Sequence, residues 1–139
     1  MRQQLKLFLT PSLAGRIDYM ATSYRNLDSY GHAEIHVDGV PVVNFCCYKP
    51  EYLCRCSFVE AAGVYLNSPL KVSLEGSGEE IRKALAILDR RVGKRTLRSL
   101  TAAMADESAL VRFFCALRCR AEGIPVNFEV PETPITGRK

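Results

Sequence analysis

The dipeptide Asp38-Gly39 constrains the fold of this chain more than any other sequence feature. In the segment before it, Ala33, Ile35 and Val37 alternate with polar residues, and a second apolar run, 40–45, follows it. A two-residue turn of type I′ needs positive φ at both central positions, which glycine adopts freely and aspartate better than most residues. The sequence therefore predicts an antiparallel hairpin that closes at this dipeptide.

A third strand is expected ahead of the hairpin. Ile17, Tyr19 and Ala21 alternate with polar or flexible neighbours, and the turn-rich segment 26–31 separates them from the hairpin. This spacing predicts an antiparallel meander of about three strands. Because Pro41 has no N–H to donate to a neighbouring strand, we expect the last strand to lie at an edge or beside a bulge.

From Ser57 onward the apolar residues recur at helical spacing, which predicts several amphipathic helices. Ser57 with Glu60, and Ser77 with Glu80, have the form of capping boxes. In such a box the serine hydroxyl and the glutamate carboxylate each bind a free N–H group of the first turn. We expect a short helix between the two boxes, which ends at Leu74.

The C-terminal part is predicted to contain three further helices. The first runs to about Arg91 and is ended by Gly93 in a left-handed conformation. The second covers about 94–104. Asp106 can cap the last helix, and Gly123 is expected to end it.

The predicted fold class is α+β, with an N-terminal antiparallel β-meander packed against a C-terminal group of three or four short helices. A chain of 139 residues with 47% apolar composition fits one domain, which we place at residues 1–130. Residues 126–130 are a candidate edge strand, and residues 131–139 are predicted to form a disordered tail.

Charge and cysteine usage limit the classes of function. Residues 1–76 contain seven basic and seven acidic residues, and residues 77–139 contain twelve basic and eight acidic residues. The net charge of +4 therefore lies in the C-terminal half. Lys6 interrupts the N-terminal apolar run, and no run approaches the roughly 18 residues of a membrane helix. We therefore expect a cytoplasmic protein without a membrane segment, in which the six cysteines are reduced.

Residues 84–95 (ALAILDRRVGKR) and 117–124 (LRCRAEGI) resemble a family of small uncharacterised bacterial proteins. Shorter stretches such as Val37-Asp38-Gly39 and Tyr65-Leu66-Asn67 are similar to the same family, so the resemblance spans most of the chain. Family members carry a longer charged insert near residues 46–56 and do not share the cysteines found there. The resemblance implies a bacterial, cytosolic, single-domain α+β protein, and it implies no activity, cofactor or catalytic residue.

Five basic residues concentrate the positive charge around Gly93. We call them the basic turn: Arg90, Arg91, Lys94, Arg95 and Arg98. The predicted helices place the first two in the last turn of one helix, where the helix dipole stabilises cations. They place Lys94 and Arg95 in the first turn of the next helix, where the dipole disfavours cations. An anion bound to the free N–H groups there would offset this cost, so the basic turn is a candidate site for a phosphate or a nucleic-acid backbone.

Other interpretations of the basic turn stay open. A solvated basic face shows the same pattern, and so does pairing with Asp89, Glu122 or the sheet, which would lock the two helices together. An acidic protein partner also fits the charge. No Walker loop, aromatic RNA-binding motif or zinc-finger spacing accompanies these residues.

Four cysteines cluster ahead of the first long predicted helix: Cys46, Cys47, Cys54 and Cys56. Structural zinc sites usually pair their ligands as C-x₂₋₄-C, whereas the adjacent Cys46 and Cys47 would point to opposite sides of a strand. We therefore expect incidental thiols and no bound metal, with zinc and a redox switch as alternatives. Cys115 and Cys119 share one helical face, where packing against a neighbouring helix is the expected role.

His32 and His36 flank Glu34 on the strand face opposite the apolar residues. A metal site or a general acid–base pair can be drawn from these side chains, with Asp18 or Asp28 as an additional carboxylate. A solvent-facing strand produces the same pattern, and no nucleophile motif of the form Gly-x-Ser-x-Gly is present. We expect no catalytic residue here.

The sequence thus favours a non-catalytic binding protein without a cofactor. Its basic turn would act as a helix-turn-helix-like surface for a phosphate-bearing or acidic partner, either nucleic acid or an acidic protein. The alternative is a metal- or thiol-dependent enzyme that uses the His32-Glu34-His36 strand or the cysteine cluster.

Overall fold

A three-stranded antiparallel sheet forms the N-terminal part of the described structure. The computed structural model describes residues 2–22, 32–46, 55–75 and 79–132. Strands β1 (Ile17–Thr22), β2 (His32–Val37) and β3 (Val40–Cys46) lie in the order β1-β2-β3, each antiparallel to its neighbour. The predicted meander is confirmed.

The turn between β2 and β3 has the predicted geometry. Asp38 and Gly39 adopt φ angles of 54° and 82°, and Val37 pairs directly with Val40. The Arg16 guanidinium donates two hydrogen bonds of 2.9 Å to the Asp38 carboxylate, from Nε and from Nη2. This pair ties the turn to the start of β1.

Pro41 lies where the ladder between β2 and β3 is irregular. Ile35 faces Val43 while His36 faces Pro41, so Val42 is an extra residue in β3. In the described sheet β3 is also an edge strand. Both expectations for Pro41, an edge and a bulge, are therefore confirmed.

Helices account for most of the remaining described residues. In chain order they are α1 (Arg2–Leu7), α2 (Pro11–Ala14), α3 (Arg55–Asn67), α4 (Leu70–Glu75), α5 (Glu80–Ile87), α6 (Lys94–Thr101), a 3₁₀ turn (Met104–Asp106) and α7 (Ala109–Glu122). The fold is therefore α+β, as predicted. Within the four described ranges, no helix has both the length and the apolar character needed to cross a membrane.

The main core lies between one face of the sheet and the helices. In β2 the side chains alternate between buried and half-buried, which places Ala33, Ile35 and Val37 against the core. Phe45 of β3 packs on Phe58 of α3 with ring centroids 4.9 Å apart. A second apolar cluster fills the space beside α6 and α7. Burial of these faces is the main force that holds helices and sheet together.

Several predicted helix starts are wrong. Ser57 lies inside α3, which already includes Arg55, so its hydroxyl is not at a capping position. For α5 the cap is Glu79, whose Oε1 accepts a hydrogen bond of 3.0 Å from the N–H group of Ile81. Glutamate is not among the residues that usually cap helices. Glu79 does so here because its carboxylate reaches the free N–H groups of the first turn. Ser77 lies outside the described residues.

The C-terminal region also departs from the predictions at two places. Ser108 rather than Asp106 caps α7, and its hydroxyl accepts a hydrogen bond from Val111 N–H at 3.3 Å. Residues 126–130 form no strand, because no described strand pairs with them. Gly123 ends α7 with a φ of 76°, as predicted. Most of the predicted tail, 133–139, lies outside the described residues.

We expect two glycine-to-alanine variants to have opposite effects. Gly39→Ala forces a Cβ into the left-handed turn, which should lower the free energy of unfolding by roughly 1–2 kcal/mol. Gly63→Ala is the control: Gly63 lies inside α3 with no atom within 4 Å of an added Cβ. Alanine there should raise stability by about 0.5–1 kcal/mol. Urea denaturation measures both changes in the free energy of unfolding. If both variants changed it in the same direction, the assigned turn would be contradicted.

Candidate functional site

The connection between α5 and α6, residues 88–93, runs beside the N-terminal segment of the chain. Helix α5 ends at Ile87. Thr10 N–H donates to the Leu88 carbonyl at 3.0 Å, and Arg90 N–H donates to the Phe8 carbonyl at 2.6 Å. The prediction that this helix continues to Arg91 is therefore wrong, and the first two residues of the basic turn lie outside any helix.

Asp89 is the buried centre of this connection, with no exposed surface. Its carboxylate accepts hydrogen bonds from the Tyr65 hydroxyl and from Arg91, through the backbone N–H at 2.8 Å, Nε at 3.0 Å and Nη2 at 2.7 Å. Burial alone would raise the pKa of Asp89, but the hydrogen bonds from Arg91 and Tyr65 outweigh it and hold the pKa below its usual range. The carboxylate is therefore charged at neutral pH.

Arg118 of α7 binds the same connection through its backbone. The side chain is 3% exposed. Its Nη1 donates to the carbonyls of Ile87 at 2.7 Å and Asp89 at 2.8 Å, and its Nη2 donates to the carbonyl of Val92 at 2.6 Å. Carbonyl groups at a helix end need partners from elsewhere, and Arg118 supplies them. This is the physical reason that α5 ends four residues before the predicted position.

Glu122 extends the network to the N-terminal segment. Its Oε2 accepts hydrogen bonds from Arg118 Nε at 2.9 Å and from the hydroxyls of Thr10 and Ser12 at 3.0 Å each. Burial raises the pKa of Glu122, and these hydrogen bonds outweigh that effect and lower it. We call the linked side chains the Asp89–Arg118 network: Tyr65, Asp89, Arg91, Arg118 and Glu122.

The network divides the basic turn into two parts. Arg91 pairs with Asp89 and lies over the Phe8 ring, with its guanidinium carbon 4.4 Å from the ring centroid. The remaining cations are exposed and form no ion pair with a carboxylate of the described ranges: Arg90, Lys94, Arg95 and Arg98.

The start of α6 provides hydrogen-bond donors beside these cations. Gly93 is the residue before the helix and is extended, with φ −88° and ψ 174°, so the prediction of a left-handed stop is wrong. It has no side chain to accept hydrogen bonds from the first turn, and the first turn contains no acidic residue. Lys94 and Arg95 therefore lie at the positive end of the helix dipole without a described carboxylate to offset them. Such a terminus can bind an anion.

The histidine-bearing face of the sheet has a different arrangement. Glu34 Oε1 lies 2.7 Å from His36 Nε2, within hydrogen-bond distance, and its Oε2 lies 3.6 Å from His32 Nε2. Asp18, which faces His36 across the sheet, pairs with Arg2 at 3.0 Å. Across the described ranges no three His, Cys, Asp or Glu residues are grouped to hold a metal ion. Asp28 lies outside those ranges.

The cysteines that the structure describes are free thiols. Cys46 is partly exposed, while Cys115 and Cys119 are buried in the second apolar cluster. Burial raises the pKa of the Cys115 thiol, which keeps it protonated and unreactive. This agrees with the packing role expected for the pair. Cys47 and Cys54 lie outside the described residues, as does the side chain of Cys56.

Sequence reasoning missed Arg118, Tyr65 and Glu122 as members of one network. Arg118 and Glu122 are four residues apart, a spacing that usually marks an exposed ion pair on a helix. The signal that would have revealed them is the position of Arg118 between Cys115 and Cys119, on the buried face of α7. A charged residue within an apolar stripe needs buried partners.

These features define an α+β protein in which a buried ion-pair network holds the connection between α5 and α6. Exposed cations lie on this connection and on the start of α6. The model of the SF0329 protein family matches residues 1–52 and 47–119, which is most of the chain, and the chain belongs to this family. The expected membership of an uncharacterised family is thereby confirmed. The two parts of the match meet at residues 47–52, within the stretch where the resemblance predicted a difference in length. Neither the curated proteins nor the solved structures contain a match to the chain.

We expect Asp89→Asn to lower the free energy of unfolding by about 1–3 kcal/mol at pH 7, because Arg91 loses its charged acceptor. The pKa of Asp89 is lower in the folded state than the usual value near 3.9, so its stabilising effect is present above about pH 4 and lost as the pH falls further. The difference between wild type and variant should therefore shrink between pH 7 and pH 3. Asp106→Asn, at an exposed position, is the control and should change stability by less than about 0.5 kcal/mol.

We expect Arg118→Lys to destabilise the fold by roughly 3 kcal/mol, because one ammonium group cannot serve three carbonyls and Glu122 together. Thermal and urea unfolding measure the loss. Arg120→Lys, on the exposed side of the same helix, is the matched control and should stay within about 0.5 kcal/mol of wild type. Equal stability of the two variants would show that the network does not anchor the connection.

Proposed function

We propose that the protein is a non-catalytic binding protein that engages a phosphate-bearing or acidic partner at the start of α6. One observation carries this proposal. Lys94 and Arg95 lie in a first helical turn that has neither a capping side chain nor an acidic residue. The described part of the fold leaves this positive end open, and a partner's anion is the group that would satisfy it.

The other exposed cations extend the same surface. Arg98 is four residues after Lys94 and three after Arg95, so the three side chains lie along neighbouring positions of α6. Leu97 and Thr101 are buried against the core, whereas Lys94, Arg95 and Arg98 are all exposed. A row of unpaired cations is the feature that tracks a nucleic-acid backbone or an acidic protein surface.

Arg91 has a different role in this proposal. Because it pairs with the buried Asp89, its substitution disturbs the Asp89–Arg118 network as well as the surface charge. A loss of binding in an Arg91 variant would therefore not separate binding from folding. Substitutions that test the surface must therefore be made at cations without a described ion pair, such as Lys94, Arg95 and Arg98.

We expect Arg95→Glu and Arg120→Glu to change stability in opposite directions, and only Arg95→Glu to weaken binding. Arg95→Glu removes a contact cation and places a carboxylate at a helix N-terminus. It should weaken binding at least tenfold and raise stability by about 0.3–1 kcal/mol. Arg120 lies in the last turn of α7, so Arg120→Glu makes the same charge change where the dipole favours cations. It should lower stability by about 0.3–1 kcal/mol and leave binding unchanged.

The binding assay is fluorescence anisotropy with labelled single- and double-stranded oligonucleotides over a salt series. A phosphate-contacting surface gives an affinity that falls linearly with salt on logarithmic axes, with a shallower slope in Arg95→Glu. Gly93→Ser offers a test without a charge change, since its hydroxyl can cap the first turn and compete with the bound anion. Absence of binding at low salt, or equal losses in Arg95→Glu and Arg120→Glu, would contradict a nucleic-acid partner at this surface.

A further inference from the structure

A groove with an apolar floor lies between α4 and residues 91–100. Its volume is about 350 Å³, and its floor is formed by Leu70 and Leu74 from α4 and by Val92 and Leu100 from the opposite side. Volumes of this size fall at the lower end of the range for small-molecule sites in proteins. Since a water molecule takes up about 30 Å³ in the liquid, the groove has room for about a dozen water molecules or a small organic ligand.

Arg91 is one of the residues that line this groove, and the Asp89–Arg118 network holds its guanidinium in place. Its Nε and Nη2 bind the Asp89 carboxylate side-on, and the Tyr65 hydroxyl is a further hydrogen-bond partner of the guanidinium. The end-on edge formed by Nη1 and the second Nη2 hydrogen is the part that Asp89 does not occupy. A carboxylate fits such an edge with two parallel hydrogen bonds.

The charges around the groove favour one negative charge on the ligand. Lys71 adds a second cation, and Thr96 adds a hydroxyl at the third position of α6. The carboxylate of Asp89 already offsets part of the positive charge of Arg91, and Glu75 adds a second carboxylate among the residues that line the groove. A dianion such as a phosphate monoester would meet both of these carboxylates, whereas a monoanion needs only the free edge of Arg91.

We propose that this groove binds a small carboxylate with an apolar body of medium-chain fatty-acid size. The apolar body would lie on the leucine floor, and the carboxylate would face Arg91 and Lys71. This site is separate from the proposed surface for phosphate-bearing or acidic partners. Thr96 and Leu100 face the groove, and at about 100° of rotation per residue Arg95 and Arg98 point to other sides of α6.

The test is a titration of the full chain with octanoate, followed by two-dimensional ¹H–¹⁵N NMR. Octan-1-ol has the same apolar body without the charge, and acetate has the charge without the body. Octanoate should bind at least about tenfold more tightly than either, since both the charged hydrogen bonds and the apolar contact contribute. Amide shifts should concentrate in residues 70–75 and 91–100.

Two variants locate the site. Thr96→Trp fills the groove from an exposed position, and Lys71→Glu, also at an exposed position, adds a carboxylate beside it; each should weaken octanoate binding at least tenfold. Gln4→Trp, exposed on α1, is the control for the added indole and should bind as wild type does. Arg95→Glu should keep octanoate binding while it loses oligonucleotide binding, so the two proposals fail separately.

Three results would overturn the proposal. Octanoate that binds no more tightly than octan-1-ol would show that Arg91 and Lys71 do not recognise the carboxylate. Unchanged affinity in Thr96→Trp would place binding elsewhere. Shifts centred on a different cavity, lined by Phe113, Leu117, Arg120 and residues 130–132, would assign the ligand to that cavity.

Discussion

The pairing of Arg118 with the carbonyls of the α5–α6 connection is the interaction on which the rest of this structure depends. Without it, the carbonyls of Ile87 and Val92 would lose the side-chain donor that the structure gives them, and the carbonyl of Asp89 would keep only the N–H group of Val92. A buried ion pair adds little net stability compared with an apolar substitute, but the loss of one partner is costly. The main consequence of this network is geometric: it fixes where α6 begins and which way Arg91 points.

Both candidate sites follow from that geometry. Because the connection turns away from the helical path after Ile87, Gly93 becomes the extended residue before α6 and leaves the first turn without a side-chain cap. The same turn brings Arg91 over Phe8 and places it among the residues that line the apolar groove. One buried carboxylate thus orients a cation beside the groove proposed for a small ligand, while the exposed cations of α6 form the surface proposed for a larger partner.

The sequence predicts the elements whose cause is local. Asp38-Gly39, the bulge at Pro41 and the left-handed Gly123 each follow from the conformational limits of single residues, and each is confirmed. The end of α5, the conformation of Gly93 and the course of residues 126–130 outside the sheet depend on partners far away in sequence, which periodicity does not contain. Arg118 was missed for the same reason. Its spacing from Glu122 is that of a surface pair, and only the packing of α7 shows that both side chains are turned inward.

The hydrogen bonds from Thr10 and Ser12 to Glu122 join residues 112 and 110 positions apart. During synthesis, which begins at the N-terminus, the hairpin and the helices that follow it can form from contacts close in sequence. Helix α1 has one such neighbour in β1, because Arg2 pairs with Asp18, but the groups that bind residues 8–12 belong to residues 88–90 and to the end of α7. The segment 8–12 therefore completes its docking only after nearly all of the fold has left the ribosome.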